Sequence, residues 1–256
     1  MACGRFFFAG HAPPGRHLQS KTPPRKSRTK NRTTKGEYTK EALELMKQRH
    51  SVRQYKPRAI EPEKREILDA LCEELNRENG LSMQIVYDEP NCFDSFMAHY
   101  GKFSGVCNYI ALIGKKSPKL EETLGRCGEQ LVLKAQELGL NTCWVAMTHG
   151  KSRAVVGPGE KQVCLISLGY GETQGVAHKS KPMQALCRCA QPMPEWFEKG
   201  MTAAMLAPTA MNQQKFRFEL RADGTVKAAC GSGFYTKLDL GIVKYHFEAA
   251  SGKKTV

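Results

Sequence analysis

The sequence predicts an α+β protein in which an antiparallel or mixed sheet is flanked by helices. Three observations lead there. Several segments carry apolar residues at helical spacing, short apolar runs of strand length lie between them, and the last third repeats the spacing of the first.

The elements follow in order. Tyr38–Gln48 places Ala42, Leu45 and Met46 on one helical face. Glu61-Pro62-Glu63 opens a second helix with acids in its first turn and proline near its start, and Gly80 closes it after Asn79. Met83–Tyr87 and Asn108–Gly114 read as strands. Leu120, Leu124, Cys127, Leu131, Ala135 and Leu138 line one face of a long helix over Leu120–Leu138, and Val163–Leu168 is the next strand. Phe197, Met201 and Ala204 then match the spacing of Leu68, Cys72 and Leu75. Phe216–Leu220 answers the strand at Met83–Tyr87, and Leu238, Ile242, Tyr245 and Ala249 match Leu120, Leu124, Cys127 and Leu131. This pattern suggests an internal duplication, with a first half over residues 37–182 and a shorter second half over 183–256.

The net charge of +14 is unevenly spread. Residues 1–36 hold nine Lys and Arg and no acid, so removing them leaves +5 for the body of the chain. A mildly basic body suits a phosphate-bearing ligand and does not call for nucleic acid. The extension itself, rich in Pro, Arg, Lys and Thr and lacking apolar periodicity, is expected to be disordered. We read it as dispensable or as the product of an upstream start codon, with a targeting segment or a nucleic-acid tail as alternatives. No apolar run approaches the roughly 20 residues that cross a bilayer. The ten cysteines contain no C-x-x-C pair, so neither a metal site nor a disulfide framework is expected. Cys72, Cys127, Cys143 and Cys164 sit among apolar neighbours and read as reduced, buried residues of a cytoplasmic protein.

Four stretches offer chemistry. In Arg49-His50-Ser51-Val52-Arg53, two guanidiniums and a hydroxyl alternate along an extended segment and point the same way, a geometry that suits a phosphate monoester or simply a solvated basic turn. Ala207–Gln214 breaks a helix into a loop whose Asn and Gln amides can read the donors and acceptors of a heterocycle, or merely connect helix to strand. In Leu138–Ala146 a helix ends at Gly139 and turns directly into an extended segment, bringing backbone amides to a ligand or packing Trp144 in the core. Gly169-Tyr170-Gly171 follows a strand but no helix follows it, which excludes a Rossmann turn, and Gly157–Lys161 lacks the ending of a P-loop.

Together these residues resemble the nitroreductase family of flavin mononucleotide (FMN) oxidoreductases, and more closely its shorter, internally duplicated branch, over about residues 38–250. The resemblance implies a nitroreductase-like fold forming a pseudo-dimer in one chain, so a monomer or weak dimer. It implies FMN held by Arg49, His50, Ser51 and Arg53, with Arg53 nearer the ring and Lys179 and Lys181 at the phosphate. Pro208, Thr209, Ala210 and Asn212 would pack on the isoalloxazine, with Trp144, Val145 and Ala146 beside it. Because the first motif lies in one half and the loop in the other, one flavin site is expected to be kept and one lost. Three departures stand out: Thr209 for Ser, Gln214-Lys215-Phe216 for Q-P-W, and Asn141 for a Gly that matters if the position needs a positive φ.

The activity implied is transfer of reducing equivalents from NAD(P)H to a nitroaromatic, quinone or flavin-like acceptor by a ping-pong route, the cofactor carrying the chemistry. No side chain need act as general acid, so His99, His149 and His246 read as core or surface residues. A flavin-binding protein or sensor with little turnover is the alternative from another class, and a nucleic-acid-associated protein acting through residues 1–36 a third.

Overall fold

The structure, a computed structural model, describes residues 35–190 and 192–256. The expectation for the basic extension therefore falls, up to residue 34, outside the described residues. Helix α1 (Lys35–Gln48) begins three residues before Tyr38. Helix α2 (Pro62–Asn79) starts on its proline and ends at Gly80, whose φ of 63° is the left-handed cap a residue without Cβ adopts freely. It buries Leu68, Cys72 and Leu75, the face its periodicity predicts.

Strands β1 (Gln84–Val86), β2 (Asn108–Lys115), β3 (Asn141–Val145) and β4 (Glu160–Gly169) form one antiparallel sheet in the order β1-β2-β4-β3. Both faces of this sheet are buried, which explains the near-continuous apolar runs. Ile110, Leu112, Cys164, Ile166 and Leu168 face α2 and α4 (Leu120–Glu137). Tyr109, Ala111, Ile113 and Leu165 face the opposite cluster with Phe93 and Phe103, on the side of the short helix α3 (Phe96–Tyr100).

A separate sheet holds β5 (Cys187–Arg188), β6 (Phe216–Leu220) and β7 (Val226–Cys230), with β5 parallel and β7 antiparallel to β6. The fold is thus α+β as expected, but with two sheets where the sequence suggested one. The one-turn helix α5 (Met183–Leu186) precedes β5. Helices α6 (Glu195–Ala204) and α7 (Thr236–Ser251) cover the second sheet through Phe197, Met201, Val243 and Phe247. Burying side chains of this size is worth roughly 1.5–3 kcal/mol each before entropy is counted. No described helix is long and apolar enough to cross a membrane.

Helices α4 and α7 cross in direct backbone contact. A methyl on Gly125 would stand 2.1 Å from the Leu238 carbonyl oxygen, and one on Gly241 2.0 Å from that of Glu122. No side chain larger than hydrogen fits at either position.

Candidate functional site

After α1, residues 49–53 run extended beside β3: Ser51 bridges Thr142 in parallel and the Val52 amide donates to the Thr142 carbonyl at 3.0 Å. The alternation of an extended chain then sorts the side chains. Arg49, Ser51 and Arg53 line a cavity of about 370 Å³, while Val52 enters the core. Trp144, Val145 and Ala146 form a second wall, and Pro208, Thr209, Ala210 and Asn212 a third. His50, Lys179 and Lys181 do not line it. His50 is half-buried under Gly175. Lys181 Nζ donates to the Gln213 and Gln214 carbonyls at 2.8 and 3.2 Å, and the Lys179 carbonyl accepts from Asn212 and Gln214. These two lysines tie the 207–214 loop down.

Sequence reading missed His178, and Tyr235, Leu238, Asp239 and Ile242 at the start of α7. Their helical spacing carried the signal, but it reads equally as core.

The innermost polar group is Arg49. Its side chain is only 3% exposed, and its Nε and Nη1 atoms have no hydrogen-bond partner among the described residues. Glu129 Oε1 stands 3.9 Å from Nε, close enough for charge attraction but too far for a hydrogen bond. Both carboxylate oxygens are otherwise engaged: Oε1 meets His246 Nε2 at 2.8 Å and Oε2 accepts from Trp144 Nε1 at 3.0 Å. His246 Nδ1 faces the Ala203 carbonyl at 3.0 Å. A carbonyl only accepts, so Nδ1 is the donor in that contact. Glu129 is thus held by partners other than Arg49, and the Arg49 guanidinium has no carboxylate within hydrogen-bond distance of Nε or Nη1. The guanidinium charge depresses its neighbours. Burial, then Arg49, lowers the pKa of His50, and at His178 the same two effects outweigh a hydrogen bond to the Met205 carbonyl.

The opposite wall is built differently. Met211, Asn212 and Gln214 hold φ of 50°, 53° and 46°, strained for residues with a Cβ. Hydrogen bonds enforce that shape. Gln214 donates to the Lys179 carbonyl and Asn212 Oδ1, accepts from the Lys181 amide, and gives its own amide to Thr209 Oγ1. Asp239 accepts from the Ala210 amide at 3.0 Å and Gln213 Nε2 at 2.7 Å. Burial raises the Asp239 pKa to about 6 against the pull of those two donors. The Asn and Gln amides of this loop are thus spent within the protein.

Asn141 needs no positive φ. It sits in β3, and its Oδ1 accepts from the Gly171 amide at 2.9 Å while Nδ2 donates to Gln174. The left-handed position is Gly139, with φ 75°. All nine described cysteines are free, and Cys72, Cys127, Cys143 and Cys164 are buried. Among the described residues no group of His, Cys, Asp and Glu is placed to hold a metal.

Fold and cavity together define an α+β protein with a cleft lined by Arg49, Ser51 and Arg53. The chain belongs to the nitroreductase family: the family model described as "Putative TM nitroreductase" matches residues 41–251. A "putative nitroreductase" from Thermotoga maritima is 23% identical, with 82% of each chain covered and a TM-score of 0.59, a likeness that establishes the fold. A "putative nitroreductase in complex with FMN" from Desulfovibrio desulfuricans is 19% identical over 60% of this chain and 98% of its own, at a TM-score of 0.46. An "FMN-dependent nitroreductase" from Clostridium difficile is 21% identical over 53% and 90%, at 0.40. No curated protein matches the chain.

Proposed function

We propose that the chain binds one FMN in this cavity and passes reducing equivalents from NAD(P)H to a small electron-poor acceptor, such as a nitroaromatic, a quinone or a flavin-like molecule, in alternating half-reactions. The observation that carries the reading is Arg49. A buried guanidinium with unpartnered N–H groups costs free energy unless an anion completes it, and a phosphate monoester is a fitting anion. Ser51 and Arg53 stand on the same side of the same extended segment, and family membership favours a flavin phosphate over other anions.

In this reading Arg49 and Ser51 hold the phosphate and ribityl chain, and the exposed Arg53 guanidinium favours negative charge on the ring. Trp144, Val145, Ala146 and the 208–212 loop confine and orient the ring. His50, Lys179 and Lys181 act through the segments they secure. The bound flavin supplies the hydride chemistry, and no protein residue donates a proton in that step.

We also read the chain as an internal duplication. Two observations support this. The order helix–strand–strand–helix occurs as α2-β1-β2-α4, with the short α3 inserted between its strands, and again as α6-β6-β7-α7, each with an antiparallel strand pair. The α4–α7 crossing is reciprocal, each glycine meeting a carbonyl placed three residues before the other, as a two-fold contact requires. The halves at 37–182 and 183–256 would then form a pseudo-dimer, monomeric or weakly dimeric in solution, and the free cysteines favour a reducing cytoplasm.

The test is direct. Purified protein should be yellow and release FMN, not FAD, on heating, and should oxidise NADH or NADPH steadily with a nitro or quinone acceptor. Full FMN occupancy in an Arg49→Ala/Arg53→Ala variant would refute the site. Stoichiometric FMN without turnover would leave a flavin-binding protein.

A further inference from the structure

Arg49 faces a carboxylate and yet is not bonded to it. Glu129 is fully buried and its Oε1 lies 3.9 Å from Arg49 Nε, within reach of charge attraction but beyond hydrogen-bond length. Closure would satisfy the guanidinium from within the protein and remove the donors a ligand needs. Two hydrogen bonds hold the carboxylate back. His246, from α7, holds Oε1 at 2.8 Å, and Trp144, from β3, holds Oε2 at 3.0 Å. His246 is itself fixed by its second nitrogen on the Ala203 carbonyl and is fully buried, so it has no alternative partner in water.

We propose that His246 is a positioning residue for anion binding: together with Trp144 it withholds Glu129 from Arg49 and keeps the Arg49 N–H groups open. The inference rests on the reading that the anion is the FMN phosphate. It assigns a role to a histidine that the sequence places among core or surface residues, and it makes α7 a determinant of a phosphate site whose arginine lies beside α1.

The experiment compares FMN with riboflavin, which has the same ring but no phosphate, on the full-length chain freed of flavin. Dissociation constants are read from flavin fluorescence. In His246→Leu, Glu129 is free to close on Arg49, and the preference for FMN over riboflavin should fall about tenfold, the loss of one charge-assisted hydrogen bond. Adding Glu129→Gln removes the competing charge while its amide oxygen still accepts from Trp144, so the double variant should recover the preference to within about twofold of wild type. Damage to packing predicts the reverse, since a second core change would compound the first. An unchanged preference in His246→Leu, or a double variant as weak as the single, overturns the proposal. Should His246→Leu fail to fold by circular dichroism, Trp144→Phe releases the other oxygen, and the same comparison is made with and without Glu129→Gln. The preference ratio cancels any change in ring stacking. A wild-type chain with no preference for FMN overturns the FMN reading and this inference with it. A preference that survives His246→Leu overturns this inference alone.

Discussion

The two sides of the cavity solve the same problem in opposite ways. The Arg49–Arg53 side is regular backbone anchored by Val52 and Tyr55 in the core, and its key donors are left unused. The 207–214 side is strained backbone at three residues, and its polar groups are used on the protein itself. A site can therefore hold charge in readiness only where the backbone is already secure, while a wall that must take an unfavourable shape spends its hydrogen bonds on keeping it.

The sharpest way to break this contrast is Arg49→Met. If the guanidinium is unsatisfied in the free protein, FMN affinity should drop about a thousandfold, two charge-assisted bonds at about 2 kcal/mol each, while the flavin-free protein loses no stability. Titration with FMN and thermal unfolding without it check both halves of the claim. On the other side, Gln214→Ala should cost about 3 kcal/mol of stability, read from denaturant unfolding, because several buried hydrogen bonds go together. It should weaken FMN and riboflavin alike, since no phosphate contact is involved.

Asp239→Asn tests the same wall through pH. The wild-type carboxyl is raised by burial to about 6, so its protonated form is favoured by folding. That contribution is fully present below the unfolded carboxylate pKa near 4 and is lost as pH rises through about 6. The Asn variant should therefore gain on wild type by about 2 kcal/mol at pH 7, with the gap closing below about pH 4 in melts across that range. Smallest of all, Thr209→Ser should change stability by less than about 0.5 kcal/mol, because the hydroxyl that accepts from the Gln214 amide is retained.

Much of this architecture was legible beforehand because local chemistry dictates it. Pro62 and Gly80 bound α2, and Phe216–Leu220 was read as the strand that β6 is. The motif residues at 49, 51 and 53, 144–146 and 208–212 do converge on one cavity. What stayed hidden depends on tertiary burial. Glu129 stands between Gly128 and Gln130 and reads as a solvated helix position, yet it is buried by α7. Asp239 between Leu238 and Leu240 gives no hint that its carboxyl braces a loop more than twenty residues upstream. Lys179 and Lys181 misled in the other direction, since two basic residues near a phosphate motif suggest charge, while the structure uses them for loop geometry. The division into two sheets was likewise invisible, because β5 is two residues long and pairs with a strand distant in sequence.

The glycine crossing of α4 and α7 also ties the cavity to a contact between segments far apart in sequence. Residues 138–235 lie between the two helices, so their contact closes a long loop, the kind of contact that costs chain entropy before it is rewarded. Glu129 and His246 meet only across that crossing, and α7 also supplies Leu238, Asp239 and Ile242 to the cavity. The cavity is thus complete only once that long-range contact has formed.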